Sequence, residues 1–474
     1  MSQEYFERIA DQWDRLRATM FSDEVSAALL ERAGLHPQAV VVDLGAGTGF
    51  LSQAIAPLVR TLHLVDNSPE MLSAARKKLR DFANLHYHQA DGMKVPLPDA
   101  LADAVVANMY LHHAPDPAQA IREMARLLKP AGRLVITDLD EHSYAWLQME
   151  QHDLWLGFKR EQVSAWLEAA GLVNVLVEDT RQSCRRVSQT GGEKATVSIF
   201  IASATKADSE MTQVVASRYR QIAAGGGSCC APAGSSAGAA LPVGENAFLL
   251  EVLQPSASCC SPGDGVDGFS LNQGEADFSL GCGNPLLLAA LRPGQVVLDI
   301  GSGAGADVFP AARQVGEAGR VIGVDPLPEM IARAEATAER YGYRNVQFRR
   351  GEASALPADE DSVDVVISNC VINLVADKGR AFREAFRVLK PAGVLSISDI
   401  VTARPFSPRL RRDPQSWAAC VAGALPEDEY LALIRAAGFT VFELTRSQAW
   451  EAEDGTRVYS LLVKALKPLE NPAS

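Results

Sequence analysis

The chain repeats itself, and that repeat constrains its fold more than any other feature. VVVDLGAGTGF (residues 40–50) returns as VVLDIGSGAGA (296–306), and LHLVDNSPEML (62–72) returns as VIGVDPLPEMI (321–331). LADAVVANMYLHH (101–113) returns as SVDVVISNCVINL (362–374), and ARLLKPAGRLVITDL (125–139) as FRVLKPAGVLSISDI (386–400). The pairs Asp43/Asp299, Asp66/Asp325, Asn108/Asn369 and Asp138/Asp399 are separated by 256, 259, 261 and 261 residues. Ordered matches at a nearly constant offset require two copies of one fold.

Each copy alternates short β-branched runs with amphipathic helical stretches, the pattern of a mostly parallel sheet covered on both faces. The reading is α/β: two Rossmann-like domains, each with a mostly parallel seven-stranded sheet flanked by helices. VVVDLG and HLVDN read as the first two strands of the first copy, DAVVAN as the fourth and GRLVITDL as the fifth. Helices precede LLKPAG and VLKPAG, and each stops before its Lys-Pro. The 474 residues divide into a first domain over 1–205, a segment over 206–280 and a second domain over 281–474. The middle segment opens with a helix, MTQVVASRYRQIAA. It then becomes rich in Gly, Ser, Ala and Cys, as in GGGSCCAPAGSSAGAALP, which reads as a linker or a lid.

A net charge of −13 leaves no basic surplus to displace counterions from nucleic acid, and it disfavours an anionic membrane surface. The N-terminal stretch MSQEYFERIADQWDRLR is polar, unlike a signal peptide, and no apolar run has the length of a membrane span. The expected location is cytoplasmic, where cysteines are thiols rather than structural disulfides. Their distribution is lopsided. Seven of the eight cysteines lie from Cys229 to Cys420, whereas all eight histidines lie between His36 and His152. The cysteine-rich half therefore works without imidazole, which removes Cys–His nucleophilic pairs and mixed Cys/His zinc sites from it.

A strand-end aspartate, a Gly-x-Gly-x-Gly loop and an acidic residue closing the next strand form a nucleoside-binding arrangement. The first copy supplies Asp43, Gly45, Gly47, Gly49 and Asp66; the second supplies Asp299, Gly301, Ser302, Gly303, Gly305 and Asp325. The spacing is neither that of a dinucleotide loop nor that of a P-loop. After the third strand come Asp91 and Glu352, each placed to accept an adenine amino group, and after the fourth come Asn108 and Asn369. In these four ordered motifs the chain resembles the class I S-adenosylmethionine-dependent methyltransferases. The resemblance implies that Asp299 and the glycines cradle the methionine part of the donor, that Asp325 takes the ribose and that Glu352 takes the adenine. Met330 either packs on the adenine ring or is ordinary helix filler.

Cys370 directly follows Asn369, where this fold presents the acceptor to the donated methyl. It is either a buried small hydrophobe or a ligand. Cys282 lies between glycines in LGCGNP, and Cys420 lies in SWAACVAGAL beyond the fifth strand. Three separated thiols without histidine suit a soft, thiophilic centre. Zinc would accept four thiolates, but paired C-x₂-C spacing is absent; trivalent arsenic is neutralised by three thiolates and keeps a lone pair. GGGSCCAP, LGCGNP, LDIGSGAGAD, GVDPLPEM, SNCVINL, RVLKPAG, SDIV and CVAGAL occur in the order seen in arsenite methyltransferases, which residues 211–465 resemble. The resemblance implies that Cys282, Cys370 and Cys420 hold arsenic(III), and that Cys229 or Cys230 assists capture and disulfide relay. It assigns no role to Cys259 and Cys260. The implied cofactors are S-adenosyl-L-methionine and a cellular thiol reductant of the thioredoxin or glutathione type; the implied substrate is arsenite.

The first copy keeps the donor motifs but has Met109 in place of Cys370 and no counterpart of Cys282 or Cys420. NMYLHHAPDP resembles the methyltransferases of quinone biosynthesis and those fused to arsenic-responsive regulators. Its His112 or His113 reads either as a base or as a helix-capping or solvent-exposed residue. Two rivals to the arsenic reading stand: methylation of an organic small molecule, and a non-catalytic thiol-rich arsenic-binding protein.

Overall fold

The structure is a computed structural model that describes residues 17, 20, 22–188, 192–225, 283–418 and 420–469. Most of the predicted linker or lid lies outside these residues, as do Cys229, Cys230, Cys259, Cys260 and Cys282. The chain divides into two compact units, Met1–Asp208 and Ser209–Ser474.

The first unit runs α1 (Glu24–Ala33), β1 (Val40–Leu44), α2 (Phe50–Ile55), β2 (Thr61–Asp66), α3 (Pro69–Lys78), β3 (Leu85–Gln89), β4 (Ala102–Asn108), α4 (Pro117–Leu127), β5 (Leu128–Leu139), α5 (Trp146–Glu150), α6 (Arg160–Ala169), β6 (Leu172–Val187) and β7 (Lys194–Lys206). Its sheet has the order β3-β2-β1-β4-β5-β7-β6, parallel except where β7 pairs antiparallel with β5 and β6. All five residues of β1 are buried, because helices cover both faces of a central parallel strand. That is why VVVDL reads as a continuous apolar run rather than an alternation. Two apolar clusters, one centred on Val105 and Leu134 and the other on Val41 and Val106, pack on opposite faces of the sheet.

The second unit begins with α7 (Ser209–Gly225). It continues with α8 (Leu286–Ala289), β8 (Val296–Ile300), α9 (Val308–Val315), β9 (Arg320–Asp325), α10 (Pro328–Tyr341), β10 (Val346–Arg350), β11 (Val363–Asn369), α11 (Lys378–Val388), β12 (Leu389–Thr402), α12 (Pro408–Arg411), α13 (Pro414–Ala418), α14 (Glu427–Ala436), β13 (Thr440–Arg446), β14 (Trp450–Glu451) and β15 (Arg457–Leu466). The strand order is β10-β9-β8-β11-β12-β15-β13, with β14 attached to β15. The expected seven strands thus become eight here. β13 ends its pairing at Arg446 opposite Leu461, and the Arg457–Val458 stretch of β15 is left for Trp450 and Glu451 to cover.

The two units repeat their supports as well as their strands. In α4, Glu123 accepts a hydrogen bond from the Val95 N–H while Arg126 donates to the Val95 and Leu97 carbonyls. In α11, Glu384 accepts from Leu356 N–H and Arg387 donates to the Leu356 and Ala358 carbonyls. Each acid–arginine pair clamps the loop that leads from β3 or β10 towards the next strand. The fifth strands also start earlier than the sequence suggested. They follow directly on their helices at Leu128 and Leu389, absorbing the Lys-Pro-Ala-Gly step in a register shift with Ala131 and Ala392 at φ 59° and 62°.

Candidate active site

In the second unit the loop after β8 turns through Gly301, Gly303 and Gly305 at φ 71°, 51° and 96°, a region where only glycine is unstrained. Gly301 is needed for space too: a Cβ there would lie 2.4 Å from Cγ2 of Val371. The carboxylate of Asp325 holds the loop, accepting from Gly303 N–H at 3.1 Å and from Leu327 N–H at 2.9 Å. Both oxygens predicted to face a ribose are thus already oriented by backbone donors, each keeping further acceptor capacity. Asp299 is buried beneath this loop. Burial raises its proton affinity well above the ordinary carboxyl range, and the charges of Asp307 and Asp325 add to the effect.

Asp307, absent from the sequence-predicted set, precedes α9 and joins the fourth strand to this cradle. Asn369 at the end of β11 donates from Nδ2 to Asp307 at 3.0 Å and to the Gly283 carbonyl at 2.8 Å. Gly283 is confined on its other side, where an added Cβ would meet Oγ of Ser398 at 2.2 Å. Its signals in the sequence were its place two residues past the last glycine of the loop and at the end of the LDIGSGAGAD motif. Ser302 has a buried hydroxyl oxygen with no hydrogen-bond partner among the described residues. Glu352 is exposed at the end of the third-strand loop. Met330 is buried against Leu327, with Ala216 and Tyr219 of α7 packed on the pair.

Cys370 and Cys420 are brought together. They share one apolar cluster with Ile400, Phe406 and Leu410, each thiol residue being 2% exposed. Both occupy the left-handed region, at φ 61° and 62°, which is uncommon for residues with a side chain. The Cys420 thiol donates to the Cys370 carbonyl oxygen at 3.1 Å and stands 3.6 Å from the Tyr219 hydroxyl of α7. Cys370 is disulfide-bonded and Cys420 is a free thiol. Behind them, the fully buried Lys378 donates from Nζ to the Asn373 and Val375 carbonyls. Burial lowers its pKa to about 8, against the pull of Asp399, Asp377 and Cys420.

The first unit repeats the cradle and changes what faces it. Gly45, Gly47 and Gly49 have φ 74°, 52° and 76°, and Asp66 accepts from Gly47 and Ser68 N–H at 2.8 and 2.9 Å. Asp43 accepts from the Ser52 hydroxyl at 2.6 Å, and burial pushes its carboxyl up to about 7. Exposed Asp91 caps its own turn by accepting from Met93 and Lys94. A cavity of about 200 Å³ opens here, lined among others by Asp43, Gly45, Asp66, Asn108, Tyr110 and His113. Asn108 accepts from the Thr137 hydroxyl instead of holding a helix-start carboxylate.

Of the two readings left open for His112 and His113, solvent exposure is not what the structure has. The His112 and His113 side chains are 6% and 16% exposed, and His112 Nδ1 is 2.7 Å from Asp138 Oδ1. Asp138 also accepts from the Leu111 and His112 N–H groups, so the carboxylate that secures this turn draws the imidazole inward. Burial works against a charge on His112, but Asp138 outweighs it and raises its pKa; burial leaves His113 well below the usual imidazole range. Among the described residues no helix is long and apolar enough to cross a membrane.

Comparison with known proteins accounts for both cradles. Models of a methyltransferase domain match residues 42–136 and, separately, residues 291–446. The chain is 40% identical over 268 residues to the arsenite methyltransferase of Halobacterium salinarum, a match that spans 55% of this chain and 67% of that protein. It is 43% identical over 175 residues to the arsenite methyltransferase of Aquipseudomonas alcaligenes, spanning 35% of this chain. With the human arsenite methyltransferase it shares 38% identity over 152 residues, or 30% of this chain. The match spans only 50% and 40% of these last two proteins. By its glycine cradles and by the Halobacterium salinarum relative it covers to two thirds, the chain belongs to the arsenite methyltransferases, S-adenosylmethionine-dependent enzymes, and carries a second methyltransferase domain in the same chain.

Proposed function

We propose that the second unit transfers methyl groups from S-adenosylmethionine to trivalent arsenic held by Cys282, Cys370 and Cys420, converting arsenite to methylated arsenicals for detoxification. One observation carries the reading: Cys370 and Cys420 meet beside the Asn369–Asp307 pair, at the carboxyl end of the strand next to the glycine cradle. Gly283, the neighbour of Cys282, is tied to the same Asn369. Asp299, Gly301, Ser302, Gly303 and Gly305 would hold the methionine part of the donor, Asp325 the ribose, Glu352 and Met330 the adenine.

In the reaction the arsenic lone pair attacks the methyl carbon. A carbon–arsenic bond forms, the carbon–sulfur bond breaks, and its electron pair leaves on S-adenosylhomocysteine. The donor arrives already activated by its positive charge, so the protein's task is to hold the three atoms in line. Arsenic left in a higher oxidation state would be returned to the trivalent state by two electrons from a thiol pair, which closes to a disulfide. A thioredoxin- or glutathione-type reductant then reopens it. Cys229 or Cys230 would serve this relay. The disulfide at Cys370 is the state that such a reductant would have to open before arsenic could bind.

The first unit, by its own glycine loop with Asp43, Asp66 and Asp91, would bind the same donor for an acceptor other than thiol-bound arsenic, because Met109 stands where Cys370 does. The deciding experiment incubates the protein with donor, arsenite and a thiol reductant, and identifies products by mass spectrometry. Methylated arsenicals support the proposal. Donor turnover without arsenic would favour an organic acceptor, and arsenite binding without S-adenosylhomocysteine would indicate a scavenger.

A further inference from the structure

One cluster in the first unit has no part in the methyl transfer described above. Asp153 is buried, its side chain 6% exposed, and no hydrogen bond reaches its carboxylate among the described residues. His112 Nε2 and His113 Nδ1 each stand 3.9 Å from its Oδ1, too far for a hydrogen bond and on opposite imidazoles whose centroids are 4.1 Å apart. A buried carboxylate without a donor is unfavourable unless a cation compensates it.

The two imidazoles are braced for such a cation. His112 gives its Nδ1 to Asp138, which leaves Nε2 as the nitrogen facing Asp153. A backbone hydrogen bond involving His152 holds His113. Ligating histidines are oriented in just this way, by an outer carboxylate or carbonyl on the other ring nitrogen. The candidate ligand atoms of His112, His113 and Asp153 all lie within 4.8 Å of one another. The nearest point equidistant from the three, in their plane, stands at most about 2.5 Å from each, so the ligands must close in by about 0.4 Å or more to reach the ~2.0–2.1 Å of zinc–nitrogen bonds. The titratable and charged groups that act on the cluster include Asp138, Arg186, His152, His142 and Cys184.

We propose that His112, His113 and Asp153 bind a divalent transition-metal ion of the zinc class, beside the cavity that His113 lines. The nitrogen-rich donor set disfavours magnesium and calcium, which take oxygen. Three protein ligands leave a tetrahedral ion one open position, the arrangement of catalytic rather than structural zinc. An acceptor hydroxyl or thiol would take that position and lose its proton more readily there.

The site is tested on the full chain. The protein is stripped with a chelator, its thiols are alkylated so that the cysteine-rich segment cannot compete, and Co²⁺ is titrated while the visible spectrum is followed. The expected result is one equivalent with d–d bands, no thiolate charge transfer, and displacement by Zn²⁺. Asp153→Asn, which conserves shape, and His113→Gln should each weaken binding by about tenfold or more. Circular dichroism shows whether each variant is folded, and either one suffices for the comparison. Absence of a Co²⁺ equivalent after alkylation, or an equivalent that the folded variants keep undiminished, would overturn the proposal and leave Asp153 as a protonated carboxyl. The arsenic reading is unaffected by either outcome, since its products are detected separately.

Discussion

The thiol of Cys420 donates a hydrogen bond to the backbone carbonyl of Cys370, 3.1 Å away across 50 residues of sequence. The contact is to the main chain, not to the other sulfur. Each residue holds a left-handed backbone, so each side chain is aimed by the bend beneath it. That hydrogen bond therefore does not depend on the sulfur of Cys370.

It follows that Cys370→Ser should keep donor affinity within about twofold while arsenite methylation falls by about 10²-fold or more, the scale of a misplaced reacting group. Cys420→Ser should behave alike. Calorimetric donor titration and mass-spectrometric product analysis read the two effects separately. An unchanged methylation rate in Cys370→Ser would remove it from the arsenic ligand set.

The glycine cradle gives a paired prediction on stability and donor binding. Gly301→Ala suffers both a positive φ and a clash with Val371, whereas Gly342, at φ 72°, has nothing within 4 Å of an added Cβ. Gly342→Ala should cost about 1 kcal/mol from backbone strain alone. Gly301→Ala should cost about 1–3 kcal/mol and also weaken donor binding. Denaturant melts and donor titrations of the two variants provide the comparison, and equal losses in both would contradict it.

Asp43 makes the stability of the first unit depend on pH. Its folded carboxyl is raised from 3.8 to about 7, so between those values the folded state binds the proton and the unfolded state does not. Stability contributed by this group is present below about pH 4 and is lost as pH rises through 7. The loss is on the order of a few kcal/mol. Asp43→Asn, which still accepts from Ser52, should flatten that slope in chemical denaturation across the window.

The disulfide at Cys370 predicts a strict order of addition. Protein mixed with donor and arsenite but no thiol reductant should form no methylated arsenical while still binding donor. Reductant added later should start product formation after a lag, visible by quenched-time mass spectrometry. Immediate formation without reductant would exclude an oxidised Cys370 from the resting enzyme.

The strand-end acids and the glycine loops were legible because their physics is local: a positive φ needs glycine, and a carboxylate two residues from a turn finds backbone N–H groups. The doubled sheet was legible because the chain states it twice. What sequence concealed depends on long-range contacts. Asn369 meets Gly283 and Asp307, 86 and 62 residues away, and Tyr219 meets Cys420 at a separation of 201. The burial of Lys378 was concealed too: its Nζ donates to the Asn373 and Val375 carbonyls of the turn before α11. The burial of His112 was hidden for a related reason: Asp138, 26 residues away, supplies the partner that lets an imidazole go inside.

The bend that carries Cys370 recurs at Met109. Both residues sit in the left-handed region, at φ 61° and 54°, and their N–H groups donate to the fifth strand at Ser398 and Thr137. In both units an aspartate, Asp399 or Asp138, gathers the N–H groups of the following turn. The main chain thus forms the same socket whichever side chain is plugged into it. One position of that socket thus carries a half-cystine sulfur in one copy and a thioether in the other, on the same main-chain scaffold.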